Sequence, residues 1–164
     1  MDKFDDILAS NKVFTSTFTS EDLTGTAVKG LAIVTCMDSR IDPLRIVGMH
    51  AGDAKILRNA GARVTDDVLR TLVLATHLLG VNRVLVMPHT DCRMASTDEA
   101  GIHEAISKKS GVDTRSLDFA TTSDQHAALL KDIVKIESYP LLHNEVRVMG
   151  AIYDVKSGLL TPID

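Results

Sequence analysis

Two short, mainly apolar runs most strongly constrain the fold of this chain. Residues 30–35 and 81–87 have the pattern of strands that are buried on both faces, as in a parallel sheet. Residues 54–57 and 146–153 are predicted as two further strands. Because helical patterns fill the intervals between them, the sequence predicts an α/β fold, with a mostly parallel β-sheet flanked by helices on both faces.

Capping residues indicate where the helices begin and end. Thr65 is predicted to cap the N-terminus of a helix that ends at Gly80. Residues 96–109 and 123–137 are predicted as two more helices. Residues 154–161 are predicted as a turn between the last strand and a short C-terminal pairing segment. Strands and helices therefore alternate along most of the chain.

The composition indicates one globular domain. The chain has 164 residues, of which 45% are hydrophobic and 24% charged, and no linker or repeat divides it. A net charge of −4 with scattered basic residues argues against nucleic-acid binding. The N-terminus lacks the features of a signal peptide, and no apolar run approaches the roughly 18 residues of a membrane span. We therefore expect a cytoplasmic location, where two cysteines are metal ligands or free thiols rather than a disulfide.

Cys36, His89 and Cys92 form a candidate metal site. Cys36 ends the first apolar run, and the other two residues follow the second. Ligands bind beyond the carboxyl ends of parallel strands, so the two segments meet at one sheet edge if their strands are neighbours. Two thiolates and one imidazole suit zinc, which keeps a fourth position open in catalytic sites and closes it in structural ones. Taken singly, either cysteine also fits a small core residue.

Asp38 and Arg40 place a carboxylate and a guanidinium beside this candidate site. The carboxylate can bind the metal or accept a proton from metal-bound water, and Arg40 can keep it ionised and oriented. A turn role for Asp38 and a surface role for Arg40 are the alternatives. Asp91 is predicted to support the ligand loop or its turn rather than to bind metal. Surface or capping roles are predicted for the other histidines, which are His50, His77, His103, His126 and His143.

Three segments in order resemble the β-class carbonic anhydrases. They are residues 36–40 (CMDSR), residues 58–61 (RNAG) and residues 89–92 (HTDC). The short chain with its brief N-terminal arm resembles the compact bacterial members of that family. The resemblance implies a single zinc-binding α/β domain over residues 1–164, with a short N-terminal helical arm.

The resemblance also implies a reaction and a ligand set. The chain would be a zinc lyase that converts carbon dioxide reversibly to bicarbonate and a proton, by attack of zinc-bound hydroxide. Cys36, His89 and Cys92 would hold Zn2+, and Asp38 would be the fourth ligand in a closed state. In an open state Asp38 would pair with Arg40 and admit water, which makes these two the expected catalytic residues.

Family resemblance further implies a homodimer or a higher homo-oligomer. The N-terminal helix would pack on the partner subunit, with the active site near the interface. Apolar residues within residues 1–13 are compatible with this arrangement.

One departure from the family pattern keeps other functions open. The family usually has glycine after the second cysteine, whereas this chain has Arg93, which puts substrate access in question. The nearest alternative is hydrolysis of carbonyl sulfide or carbon disulfide at the same zinc site. A second alternative is a non-catalytic zinc protein closed by four ligands, against which the presence of Arg40 argues. A redox role is less favoured, since the cysteines lack C-x-x-C spacing.

Overall fold

A five-stranded sheet forms the centre of the computed structural model, which describes residues 3–163. The strands, in sheet order, are β2 (Ala54–Asn59), β1 (Leu31–Cys36), β3 (Arg83–Met87), β4 (Arg147–Tyr153) and β5 (Leu160–Pro162). The first four run parallel to one another, and β5 is antiparallel to β4. This confirms the predicted mostly parallel α/β sheet, and β5 is the predicted C-terminal pairing segment.

Five α-helices connect or flank these strands within the described residues. They are α1 (Asp5–Thr15), α2 (Pro43–Ile46), α3 (Asp66–Leu78), α4 (Glu99–Ser110) and α5 (Gln125–Glu137). Thr65 caps α3 as predicted, since its side chain accepts a hydrogen bond from the backbone N–H of Val68. Helix α4 begins three residues later than predicted, because Asp98 is its cap and accepts from the N–H of Gly101 at 2.8 Å.

Alternation along the strands divides the core into two layers. On one face of the sheet, Val34 and Val86 pack with apolar residues of α3 and α5. On the other face, Ile33 and Leu85 pack with Ile46 of α2 and with residues from the connecting loops. Helices α3 and α5 thus share one face, and the described core residues of the opposite face that lie outside the strands come from α2, the 3₁₀ turns and loops.

The pairing of β1 with β3 positions the candidate site. Although β2 follows β1 in the chain, β3 lies on the other side of β1 and pairs with it in parallel. Thr35 is in register with Met87, and its hydroxyl donates a hydrogen bond to the Met87 carbonyl at 2.7 Å. Because the two strands end level, the loops that leave them start side by side at one edge of the sheet.

Helix α1 lies in the predicted N-terminal arm, of which Met1 and Asp2 fall outside the described residues. None of its residues is buried. Among the described residues, no helix has both the length and the apolar character needed to span a membrane.

Candidate metal centre

The structure brings together the three predicted metal ligands. Cys36 is the last residue of β1, and His89 and Cys92 lie in the loop that follows β3. One ligand atom from each lies within 4.8 Å of the other two. All three residues are buried, with 5%, 0% and 4% of their respective surfaces exposed. Their positions follow from the neighbouring strand ends.

His89 presents one ring nitrogen that has no partner. Its Nδ1 lies 2.8 Å from the Thr90 carbonyl oxygen, and since a carbonyl only accepts, Nδ1 carries the proton and donates. The buried Nε2 has no hydrogen-bond partner among the described residues. A buried acceptor without a donor is unfavourable, and a cation would satisfy it. This nitrogen therefore fits a metal ligand.

The sulfurs of Cys36 and Cys92 interact directly with each other. A hydrogen bond from the Cys92 thiol lowers the pKa of Cys36, and contacts with His89 and the N–H of Gly61 lower it further. The same hydrogen bond, together with burial, raises the pKa of Cys92. A buried thiolate of this kind is ready to bind a soft or borderline cation.

Asp38 is held beside this group by Arg40. The guanidinium donates from Nε to Asp38 Oδ1 at 2.9 Å and from Nη2 to Oδ2 at 2.8 Å, a bidentate pair. These bonds place the pKa of Asp38 well below its usual range, so the carboxylate is ionised. Asp38 Oδ2 also lies 3.8 Å from His89 Nε2. Of the two predicted arrangements of Asp38, the structure has the one in which it pairs with Arg40.

Asp91 provides a second carboxylate for the same guanidinium. Arg40 Nη1 donates to Asp91 Oδ2 at 2.8 Å, and Arg40 Nη2 donates to the Asp91 carbonyl at 3.2 Å. Asp91 is absent from the group of three ligands and belongs to the loop that supports them. The sequence suggested that supporting role from its place between His89 and Cys92, but not its pairing with Arg40.

Two further residues hold the ligand loops in place. Arg58 donates to the carbonyl oxygens of Cys36 at 2.9 Å and Asp38 at 2.6 Å. Gln125, at the start of α5, donates from its side-chain amide to the His89 carbonyl at 2.9 Å. Arg58 falls within a segment that the family resemblance singled out, whereas no sequence pattern marked Gln125.

Arg93 does not enter the metal-ligand group. It is exposed, begins the 3₁₀ turn Arg93–Ala95, and its side chain forms no hydrogen bond or ion pair with residues 3–163. The predicted peripheral histidines are also outside the group of three ligands. His77 and His143 contact each other through their rings, for example, and His103 Nδ1 lies 2.9 Å from Thr114 Oγ1.

Comparisons with known proteins agree on one family. Residues 31–160 match the family model described as carbonic anhydrase. β-Carbonic anhydrase 1 of Mycobacterium tuberculosis is 34% identical over 159 residues, covering 97% of this chain and 96% of the relative. A carbon disulfide hydrolase of Acidianus sp. is 31% identical over 150 residues, covering 77% and 74%. The crystal structure of a Streptococcus mutans carbonic anhydrase has a TM-score of 0.92 and 35% identity, covering 100% of this chain and 99% of that one.

Proposed function

The chain belongs to the β-carbonic anhydrase family, and we propose that it is a zinc enzyme that converts carbon dioxide reversibly to bicarbonate and a proton. One observation carries the proposal: a buried group of two cysteines and a histidine, beside which Asp38 is held by Arg40. Three protein ligands leave a coordination position for water, as catalytic zinc requires.

Cys36, His89 and Cys92 would hold the metal. Two thiolates and one neutral imidazole are a common ligand set for zinc, and the unpartnered Nε2 of His89 fits that role. When bound there, Zn2+ would act as a Lewis acid and lower the pKa of a water molecule from ~15.7 toward ~7. Burial of the three ligands excludes bulk water from the sulfurs and strengthens their interaction with a cation.

Asp38 is proposed as the group that orients the attacking water. Because it is ionised, its carboxylate can accept a hydrogen bond from water and direct a lone pair toward carbon dioxide. Arg40 fixes the carboxylate in that position and keeps it charged. If Asp38 turned toward His89 and the two cysteines instead, it would complete a set of four protein ligands and exclude water, which is the closed state.

A second candidate reaction is hydrolysis of carbon disulfide or carbonyl sulfide at the same centre. Its support is that carbon disulfide hydrolases are among the relatives, one of them 31% identical. These molecules are linear and apolar like carbon dioxide, so the same nucleophile can attack them. Access to the centre then determines which of the substrates reacts. The exposed Arg93 beside Cys92 is the residue in this chain that departs from the family pattern at that position.

We further propose a homodimer or higher homo-oligomer. Helix α1 buries none of its residues within one chain, although Ile7, Leu8 and Phe14 are each more than half exposed. A helix of 11 residues with no packed face has little stability in water. A second copy of this chain would give that apolar surface a partner.

Stopped-flow measurement of carbon dioxide hydration, on protein of known zinc content from neutral to alkaline pH, tests the proposed function. We expect zinc-dependent turnover that increases with pH, and none in Cys92→Ala. Carbon disulfide and carbonyl sulfide are assayed on the same preparation. Full zinc occupancy with hydrolysis of either sulfur compound and no hydration would favour the second candidate. Full occupancy with no turnover on any substrate would contradict both and favour a structural zinc site.

A further inference from the structure

Arg40 joins the two loops that carry the candidate metal ligands. Asp38 and Arg40 belong to the loop after β1, whereas Asp91 lies between His89 and Cys92 in the loop after β3. Every hydrogen bond of the Arg40 guanidinium within residues 3–163 goes to Asp38 or Asp91. Asp91 is therefore the only contact in this part of the chain that ties the guanidinium to the second ligand loop.

The two aspartates use different sides of the guanidinium. Asp38 accepts from Nε and Nη2, whereas the Asp91 carboxylate accepts from Nη1. Arginine has five N–H donors, so the bonds to Asp91 do not withdraw any donor from Asp38. Asp91 thus anchors Arg40 without competing for it.

The backbone of the loop is shaped for this contact. Asp91 has a φ of 56°, in the left-handed region that L-residues other than asparagine and aspartate rarely adopt. In this conformation both its carboxylate and its carbonyl oxygen accept hydrogen bonds from Arg40. Two acceptors from one residue fix the plane of the guanidinium as well as its distance from Asp91.

We propose that Asp91 is a positioning residue, which anchors Arg40 and thereby holds Asp38 off the metal position. The inference rests on the proposed function, because it concerns how that site stays open to water. Asp38 Oδ2 is already 3.8 Å from His89 Nε2, so a short movement of the Asp38–Arg40 pair would bring the carboxylate onto a metal held by that nitrogen. Anchoring at Asp91 opposes this movement.

A different result is expected if Asp91 and Arg40 form only an ordinary surface ion pair. The Asp91 side chain is 66% exposed, and isolated pairs of that kind contribute little to stability. If Asp91 were only such a pair, or only a turn residue, its removal would change stability slightly and leave access to the metal unchanged. The experiment must therefore measure access to the metal.

The experiment uses the full chain with Co2+ in place of Zn2+, because zinc is spectroscopically silent. Azide is titrated into the parent, Asp91→Asn and Asp91→Ala while the visible absorption of cobalt is recorded. We expect azide to bind about 5- to 10-fold more weakly in both variants, the size of effect expected for losing one charge-assisted hydrogen bond. In the zinc enzymes we expect a lower kcat with little change in KM for carbon dioxide.

Matched controls separate positioning from general loss of charge or folding. Asp113→Ala removes an exposed aspartate that pairs with Arg115 at 2.7 Å, outside the metal-ligand group, and should leave azide affinity unchanged. In an Arg40→Ala background, Asp91→Ala should weaken azide binding no further, because the residue it acts through is gone.

Several outcomes would overturn the inference. Unchanged azide affinity in Asp91→Ala would overturn it. It would also be overturned if Asp91→Ala lowered azide affinity as much in the Arg40→Ala background as it does in the parent. Loss of cobalt from Asp91→Asn would also do so, because it would assign Asp91 to the folding of the ligand loop. Azide binding does not depend on which substrate the enzyme uses. A parent protein that binds azide but hydrates no carbon dioxide would count against the proposed function alone.

Discussion

The backbone N–H of Gly61 donates a hydrogen bond to Cys36 Sγ across 3.4 Å. Gly61 lies in the 3₁₀ turn Ala60–Ala62, directly after β2, so one strand supplies a candidate ligand and its neighbour supports it. The φ of Gly61 is 81°, and a Cβ at this position would lie 3.0 Å from Cβ of Met94. The turn is therefore restricted to glycine both by conformation and by space.

Gly61→Ala should lower the free energy of unfolding by about 1–3 kcal/mol and weaken metal binding, because the turn must shift away from Met94. Urea denaturation and competition with a chromophoric chelator measure the two effects. Gly111→Ala is the matched control, since Gly111 has a φ of 73° with open space around it. In this control, the free energy of unfolding should fall only by the cost of placing alanine at a positive φ. Equal metal affinity in Gly61→Ala and the parent would contradict a supporting role for this turn.

Asp38→Ala and Arg40→Ala should retain zinc and each lose about 100-fold or more in kcat/KM, because neither change removes one of the three buried ligands. The double variant should be no worse than the more impaired single variant if the pair acts as a unit. Zinc content and stopped-flow hydration are the measurements. Full activity in either single variant would rule out the proposed pair.

Cys92→Ala should lose the metal, because one imidazole and one thiolate remain where three ligands are needed. Elemental analysis after dialysis against a chelator measures this. His103→Ala is the control, since His103 contacts Thr114 and Glu99 and lies outside the ligand group. A normal zinc content in Cys92→Ala would mean that the ligand assignment is wrong.

Asp132→Ala should destabilise the fold by about 3 kcal/mol or more, because it leaves the guanidinium of Arg63 buried without its partner. The two side chains are 6% and 17% exposed, and Arg63 Nε lies 2.7 Å from Asp132 Oδ2. Thermal and urea denaturation measure the loss. Replacing both residues together, as Arg63→Met with Asp132→Leu, should recover part of it. A single variant as stable as the parent would show that the pair contributes nothing.

Leu8→Glu combined with Phe14→Glu should reduce the molecular mass in solution to that of a smaller assembly, because both residues are exposed within one chain and charge would oppose their burial between chains. Sedimentation velocity gives the mass. Val112→Glu changes another residue outside α1 that is more than half exposed, and it should leave the mass unchanged. An unaltered assembly in the α1 variant would exclude this helix from the interface.

Local patterns predicted much of the fold and the metal group. Three features depend on neighbouring residues, which a single sequence displays: the buried strands, the Thr65 cap and the position of the candidate ligands near strand ends. The neighbouring positions of β1 and β3 could only be assumed, because hydrogen bonding between strands leaves no mark in either strand alone. Helix α4 begins at Glu99 rather than at residue 96, because Ser96 ends the preceding 3₁₀ turn, where its hydroxyl donates to the Arg93 carbonyl, and Asp98 caps the helix.

Long-range polar contacts could not be predicted from the sequence. Gln125 and His89 are 36 positions apart, and Arg63 and Asp132 are 69 apart. In each case a helix brings a polar side chain to a loop, so the partner depends on how the helix packs rather than on any spacing. The link between Arg40 and Asp91 spans 51 positions and joins two loops, so it depends instead on the pairing of β1 with β3.

The central place of β1 and β3 has a consequence for how long an ion would stay if bound at the proposed site. Each strand has a hydrogen-bonded neighbour on both sides, so this part of the sheet should exchange its amide hydrogens last. The outer strand β5 and helix α1 can fray without disturbing the strand ends that carry Cys36 and His89. Release of the ion should then follow motion of the two ligand loops and run faster than global unfolding. The time for which the protein stays active would consequently be limited by loss of the ion, whereas the time for which it stays folded would be limited by global unfolding.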